Sequence, residues 1–356
     1  MSNEKKKFNW KAITQHHLFL PIVCLLVVLL VNVIKTPDFF VISMKGGVLY
    51  GYLVDVVNRA SELVIVAIGM TLVTAASGGQ DISVGAVMAV AAAVCCQILS
   101  GGQVTTDQLM NSMALAIIAA VIVAGLCGAF NGFLVANLGI QPMVATLILF
   151  TAGRGIAQLV TKGQITYVRV DSFKVMGGYI GKCPVPTPIF FAIATIIIVN
   201  IVLKKTALGL YIESVGINPR ASRLFGLNST KIIFITYAAC GLCAGIAGMI
   251  ATSRITSIDA NNVGNLMELD AILAVALGGN SLAGGKFSVA GSVIGAITIQ
   301  ALSTTLYAMK VTGDQLPLYK AIVVIIIVTL QSPEFKKYLN RIKAKRAAKT
   351  AGEKVA

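Results

Sequence analysis

Charge is scarce in this chain. Asp, Glu, Lys and Arg make up 12% of its 356 residues, about half the share of an ordinary soluble domain. The deficit falls in long blocks such as Leu18 to Ile34 and Ser288 to Met309. Such runs approach the ~20 residues needed to cross ~30 Å of hydrocarbon. No stretch between them is long enough for a separate soluble core. Histidine is nearly absent: His16 and His17 sit together beside the first apolar run. No nucleophile–base pair suggests itself, which argues against a membrane enzyme. Aromatics are 7%, with the single Trp10 ahead of the first span, and the polar groups are scattered, which fits a chain that passes a small polar solute rather than one that grips it tightly. Of seven cysteines only Cys183 lies in a polar loop, which argues against a disulfide framework. Cys240-x-x-Cys243 has redox or metal spacing but no nearby His, and mid-span it reads as small-residue packing. "GGNSLAGGKFS" lacks the Gly-x4-Gly-Lys-Ser/Thr spacing of a phosphate-binding loop, so no nucleotide or metal cofactor is expected on this chain.

Apolar residues are abundant, at 56%. They form ten segments, at roughly 18–34, 62–76, 83–99, 112–135, 143–160, 188–203, 231–252, 269–278, 288–309 and 318–331. The expected fold is an all-α, polytopic membrane protein. Its parts are an N-terminal tail (1–17), a transmembrane domain (18–331) with a loop at 204–230, and a basic C-terminal tail (332–356). The net charge of +15 is not a nucleic-acid footprint. Four Lys or Arg precede the first span, five lie from Lys204 to Lys231 and eight follow Gln331. Basic residues gathered in a few extramembrane segments follow the positive-inside rule. With an even span count both termini are then cytoplasmic. The loop at 161–187 falls outside although it carries Lys162, Arg169, Lys174 and Lys182. No small-x-small cleavage site closes the first run, so it is expected to be retained as a span.

Two segments, 62–76 and 269–278, are short and stop at paired glycines: Gly78-Gly79 in "SGGQD" and Gly278-Gly279, followed by Asn280, in "GGNSLAGGKFS". Unpaired backbone groups are costly in lipid, so such breaks belong where protein or a water-filled cavity satisfies them. Asp81 is costly there as well. It is expected to cap the helix beginning near Ser83, to line a solute path, or both. Arg154 is expected to pair with Asp81 or Asp270, or to bind backbone carbonyls. Asn131 and Gln158 offer amides for interhelical hydrogen bonds or for a path. Glu268 and Asp270 suit a helix N-terminus.

The loop "YIESVGINPRASRLFGLNSTK" predicts a short helix over Pro219 to Phe225. Asn218 is a good N-cap, Pro219 suits the first helical position and Gly226 suits the residue past the end. Arg220 and Arg223 share a face. Two turns are not stable alone in water, so this helix needs a docking surface.

"VGINPRASRLFGLN" resembles the cytoplasmic coupling segment of bacterial ABC permeases for monosaccharides, the ribose/galactose/arabinose-type importers. "SGGQDISVGAVMA" is similar to the same family's "GGIDLSVG" signature. Asn131 to Gln164 and Leu269 to Ala296 look like that family too, with 131–164 most similar to the galactofuranose-type branch. The resemblance implies a permease subunit in the bacterial inner membrane. Its implied partners are a second permease, a cytoplasmic ABC ATPase holding ATP and Mg²⁺, and a periplasmic or extracellular sugar-binding protein. It places the ATPase contact on Asn218, Pro219, Arg220, Arg223 and Gly226. The rival is an ion-gradient-driven secondary transporter of a small polar solute, which also uses broken helices but has no need of a docked helix at 219–225.

Overall fold

The computed structural model describes residues 18–331, Lys182 excepted; the two tails lie outside the described residues. Each of the ten apolar segments is a helix: α1 (Phe19–Lys35), α2 (Tyr52–Ser77), α3 (Val84–Ser100), α4 (Met113–Ala136), α5 (Pro142–Val160), α7 (Thr187–Lys205), α10 (Ser229–Ile255), α11 (Met267–Leu277), α12 (Val289–Ala308) and α13 (Leu316–Gln331). Three short helices intervene: α6 (Asp171–Lys174), α8 (Leu208–Ile217) and α9 (Pro219–Leu224). Among the described residues six helices, α2, α4, α5, α7, α10 and α12, are long and apolar enough to cross a membrane.

Two expectations are corrected. Segment 62–76 is not short. α2 runs 26 residues from Tyr52, about 39 Å at 1.5 Å per residue. Polar residues disguised its first turns. Glu62 pairs with Arg254 of α10 at 2.9 Å, and Arg254 also donates to the Asn58 carbonyl at 3.3 Å. Only α11, with 11 residues, is a short helix ending at a glycine pair. The fold is also not purely helical. β1 (Ser43–Lys45) and β2 (Val48–Tyr50) form an antiparallel hairpin. β3 (Thr105–Thr106), β4 (Thr166–Val168) and β5 (Ser257–Ile258) form a small mixed sheet, β4 in the middle. These two- and three-residue strands satisfy loop backbone groups that no helix serves.

Packing depends on small residues. Ala116, Ala120, Ala124 and Gly128 recur every fourth residue on α4 and are fully buried or nearly so. This row meets Gly241 and Gly245 of α10. A Cβ on Gly128 would lie 2.4 Å from the Tyr237 carbonyl, so the two backbones touch, as small-residue rows allow in membranes. α3 is the central helix, buried along nearly its whole length, and it packs against α4, α5 and α10. Cys240 and Cys243 are buried free thiols in this packing, with Cys240 against Gly69.

Local contacts sort into two ends. At one end lie α9, the break after α2, the loop between α11 and α12, and the start of α5. At the other lie the three-stranded sheet, the β1–β2 hairpin and the Glu62–Arg254 pair. There Tyr179 donates to the Leu49 carbonyl at 3.1 Å. Burial, then Tyr50 and Asp55, raise its pKa, so the phenol remains a donor at neutral pH.

Candidate functional site

α9 is a six-residue helix projecting between α8 and α10. The Asn218 side-chain oxygen accepts from the backbone N–H groups of Arg220 and Ala221, both at 3.0 Å. Pro219 holds the first position and Gly226 turns the chain away with φ 82°. The two arginines differ in what they do. Arg220 is exposed. Arg223 is tied back to α10, its Nε donating to Ser229 Oγ at 2.6 Å and a terminal nitrogen to Thr230 Oγ1 at 3.2 Å. The end of the knob is apolar. Leu224 is 89% exposed and Phe225 87% exposed, the most exposed large apolar side chains among the described residues. The sequence signal for them was present: two adjacent bulky apolar residues, Leu224 and Phe225, directly after the arginine-bearing turn.

The glycine breaks are in contact with each other and with the root of α9. Gly78 ends α2 in the left-handed region at φ 66°, where its α-carbon faces Ala283 and Gly284. Gly285 N–H donates to the Ala75 carbonyl at 3.0 Å. Gln80 Nε2 donates to the Leu282 carbonyl at 3.3 Å. Gly216, two residues before Asn218, lies against the same Ala75 carbonyl; a Cβ there would sit 1.8 Å from it. Gly79 faces the Pro142 ring at the start of α5. Gly278 packs on Gly291 of α12 and is followed by Gly279 at φ 79°. Asn280 clamps this second break: its Oδ1 accepts from Ser288 N at 2.6 Å, and its Nδ2 donates to Ser292 Oγ at 2.7 Å. Ser292 in turn shares a 2.6 Å hydrogen bond with Thr71 of α2.

Asp81 is 2% exposed and stands at the start of α3. Its Oδ1 accepts from Ser83 N at 2.9 Å and Ser83 Oγ at 2.6 Å. Asn131 of α4 donates to Ser83 Oγ at 2.8 Å and to Asp81 Oδ1 at 3.5 Å. Asp81 thus braces the turn just ahead of α3 rather than capping it, since among the described residues no side chain bonds the N-terminal N–H groups of α3 itself, and Asn131 fastens that turn to α4.

Arg154 meets neither Asp81 nor Asp270. It donates to the carbonyls of Ala260 and Val263, at 3.0 and 2.5 Å, and so pins the loop ahead of α11. Asp270 pairs with Lys320 of α13 at 2.7 Å, a partner that sequence spacing gives no way to find. Gln158 donates to Asn261 in the same loop as the Arg154 contacts. The candidate residues thus occupy four places: the α9 knob, the glycine joint at its root, the Asp81–Asn131 fastening and the Arg154–Gln158 loop clamp.

Known transport proteins are similar to this chain over most of its length. The galactofuranose transporter permease protein of Escherichia coli K12 is 40% identical, covering 96% of each chain. The fructose import permease protein of Bifidobacterium longum NCC 2705 is 38% identical, over 97% of this chain and 96% of that one. The ribose import permease protein of Escherichia coli K12 is 33% identical, over 87% of this chain and 92% of that one. The family model for the permease component of branched-chain amino acid transport systems matches residues 52–330. The chain belongs to that family, and is a membrane transport subunit rather than an enzyme.

Proposed function

We propose that this chain is the permease subunit of an ATP-binding-cassette importer that carries a monosaccharide inward across the bacterial inner membrane. The observation that carries the reading is the projecting α9, with its exposed Leu224 and Phe225, on a chain similar over most of its length to three sugar import permeases. An exposed apolar pair costs solubility unless something covers it. A cytoplasmic ATPase, holding ATP and Mg²⁺, docks there, with Asn218, Pro219, Arg220, Arg223 and Gly226 giving the knob its shape and charge. ATP-driven closure of two ATPases pushes on two such knobs, one on this chain and one on a second permease, identical or related. The push shifts the spans between outward- and inward-facing states. A sugar-binding protein delivers the substrate to the opposite end. Both termini are cytoplasmic in this arrangement, lipid covers the outer helix faces, and ten helices cross or enter the bilayer. Gly78, Gly79, Asp81, Asn131, Arg154, Gln158, Asp270, Gly278, Gly279 and Asn280 line or support the path.

Purification of the tagged chain from its native membrane tests this. The expected result is an ATPase at two copies per two permeases, or one fused double ATPase, retained through detergent washing. Replacement of both apolar tip residues, Leu224→Asp with Phe225→Asp, is expected to release it. A chain that purifies without an ATPase and accumulates solute on an ion gradient alone contradicts the reading.

A further inference from the structure

We infer that the crevice at the C-terminal mouth of α5 receives a single sugar ring; this rests on the transport reading above and gives it a location. The crevice has a volume of about 260 Å³ and is lined by Gln158, Thr161, Gln164, Ile165, Asp259 and Asn261. That is a little below the ~300 Å³ at which drug-sized sites begin, in keeping with one ring.

Its chemistry is that of a polyol partner. Each sugar hydroxyl both donates and accepts, and one left unpaired on burial is costly. Gln158, Gln164 and Asn261 each carry a donor and an acceptor, Asp259 accepts and Thr161 does either. The 2.5 Å bond between Gln158 and Asn261 uses Nε2 of one and Oδ1 of the other, so the Gln158 carbonyl and the Asn261 amide nitrogen remain for a ligand. Asp259 disfavours an anion. Arg154, bonded to the carbonyls of Ala260 and Val263 just behind, offsets that carboxylate, so a small cation has little to draw it.

The wall is fixed before any ligand arrives. Asp259 Oδ1 accepts from Asn261 N at 2.9 Å and its Oδ2 from Asn262 Nδ2 at 2.7 Å. Preorganised groups of this kind lower the ordering cost of binding. The crevice also lies at the end opposite α9, where a delivered substrate arrives. From it Gln158, Gly155 and Thr151 form an exposed strip of small and polar residues along one face of α5. α5 begins at Pro142, which touches Gly79 at the α9 end. Between Thr151 and Pro142 the exposed residues are apolar, Ile148, Leu147, Val144 and Met143, so the polar strip covers only the half of α5 next to the crevice.

The test is uptake by the complete complex in proteoliposomes, with D-galactose, D-ribose and D-fructose as probes. Asn261→Ala and Gln164→Ala are expected to change the ratio of uptake rates between two transported sugars at least threefold. The binding-protein concentration for half-maximal uptake is expected to stay within twofold. An equal fall for every sugar, or no change, overturns the site, because docking and coupling do not depend on which sugar is carried. A second measurement does not need transport. With Gln164→Cys in a Cys183→Ser background, a transported sugar at high millimolar concentration slows maleimide labelling at least threefold, whereas KCl does not. Unchanged labelling overturns the site. Failure of the unmutated complex to take up any sugar with ATP overturns the transport reading, and this site with it.

Discussion

Arg220 and Arg223 are three residues apart on the same helix and both are exposed, yet they are held differently. Arg223 gives two of its guanidinium nitrogens to Ser229 and Thr230, a tie that Arg220 does not have among the described residues. Sequence spacing placed both on one face and stopped there, because a side chain's partner six residues away in the next helix is a tertiary fact. The two charge reversals should therefore separate. Arg220→Glu is expected to leave the melting temperature in detergent unchanged and to weaken ATPase docking at least fivefold. Arg223→Glu is expected to lower the melting temperature as well, since it strips two hydrogen bonds from the root of α10. Asn218→Ala should cost about 1 kcal/mol of local stability through loss of its cap, read as faster amide exchange at Arg220 and Ala221. Arg154 follows the same lesson. Carbonyl binding was among its expected fates, but the residues supplying those carbonyls, Ala260 and Val263, lie more than a hundred positions away and no spacing rule reaches them.

At the scale of elements, the ten apolar segments were legible because hydropathy alone marks a helix in lipid. α9 was legible as well, from Asn218, Pro219 and Gly226. α2 was misjudged at its start, since a paired buried charge resembles a span boundary until its partner is known. That pair has a measurable weight. Breaking a buried ion pair by removing one partner costs about 3–5 kcal/mol. Glu62→Ala is thus expected to lower thermal stability sharply, and Glu62→Leu with Arg254→Met to recover most of it. The contact between the two glycine breaks was not legible either, because it is made mostly by backbone atoms of Ala75, Gly216 and Gly285, and the one side chain that joins it, Gln80, bonds a carbonyl about two hundred positions away. Gly216→Val places a branched side chain against the Ala75 carbonyl and wedges α8 off α2. ATP hydrolysis by the complex is expected to persist while uptake falls at least tenfold. Unimpaired uptake by Gly216→Val would show that α9 does not act through this contact.

Across the whole molecule, the parts form one line of force and one line of passage. α9 projects from one end, and its root rests on the breaks after α2 and after α11. Those breaks hold the N-termini of α3 and α12 through Asp81 and Asn280. Motion imposed on α9 therefore reaches the central, buried α3 by way of backbone contacts and short hydrogen bonds. In the proposed function the force on α9 comes from the partner ATPase. The most direct measurement is sugar accumulation in proteoliposomes that contain this chain, its ATPase and its binding protein, with all ion gradients collapsed by ionophores. The account predicts accumulation that requires ATP on the α9 side and disappears when the ATPase is left out. Accumulation driven by an imposed ion gradient, with no ATPase present, would contradict it.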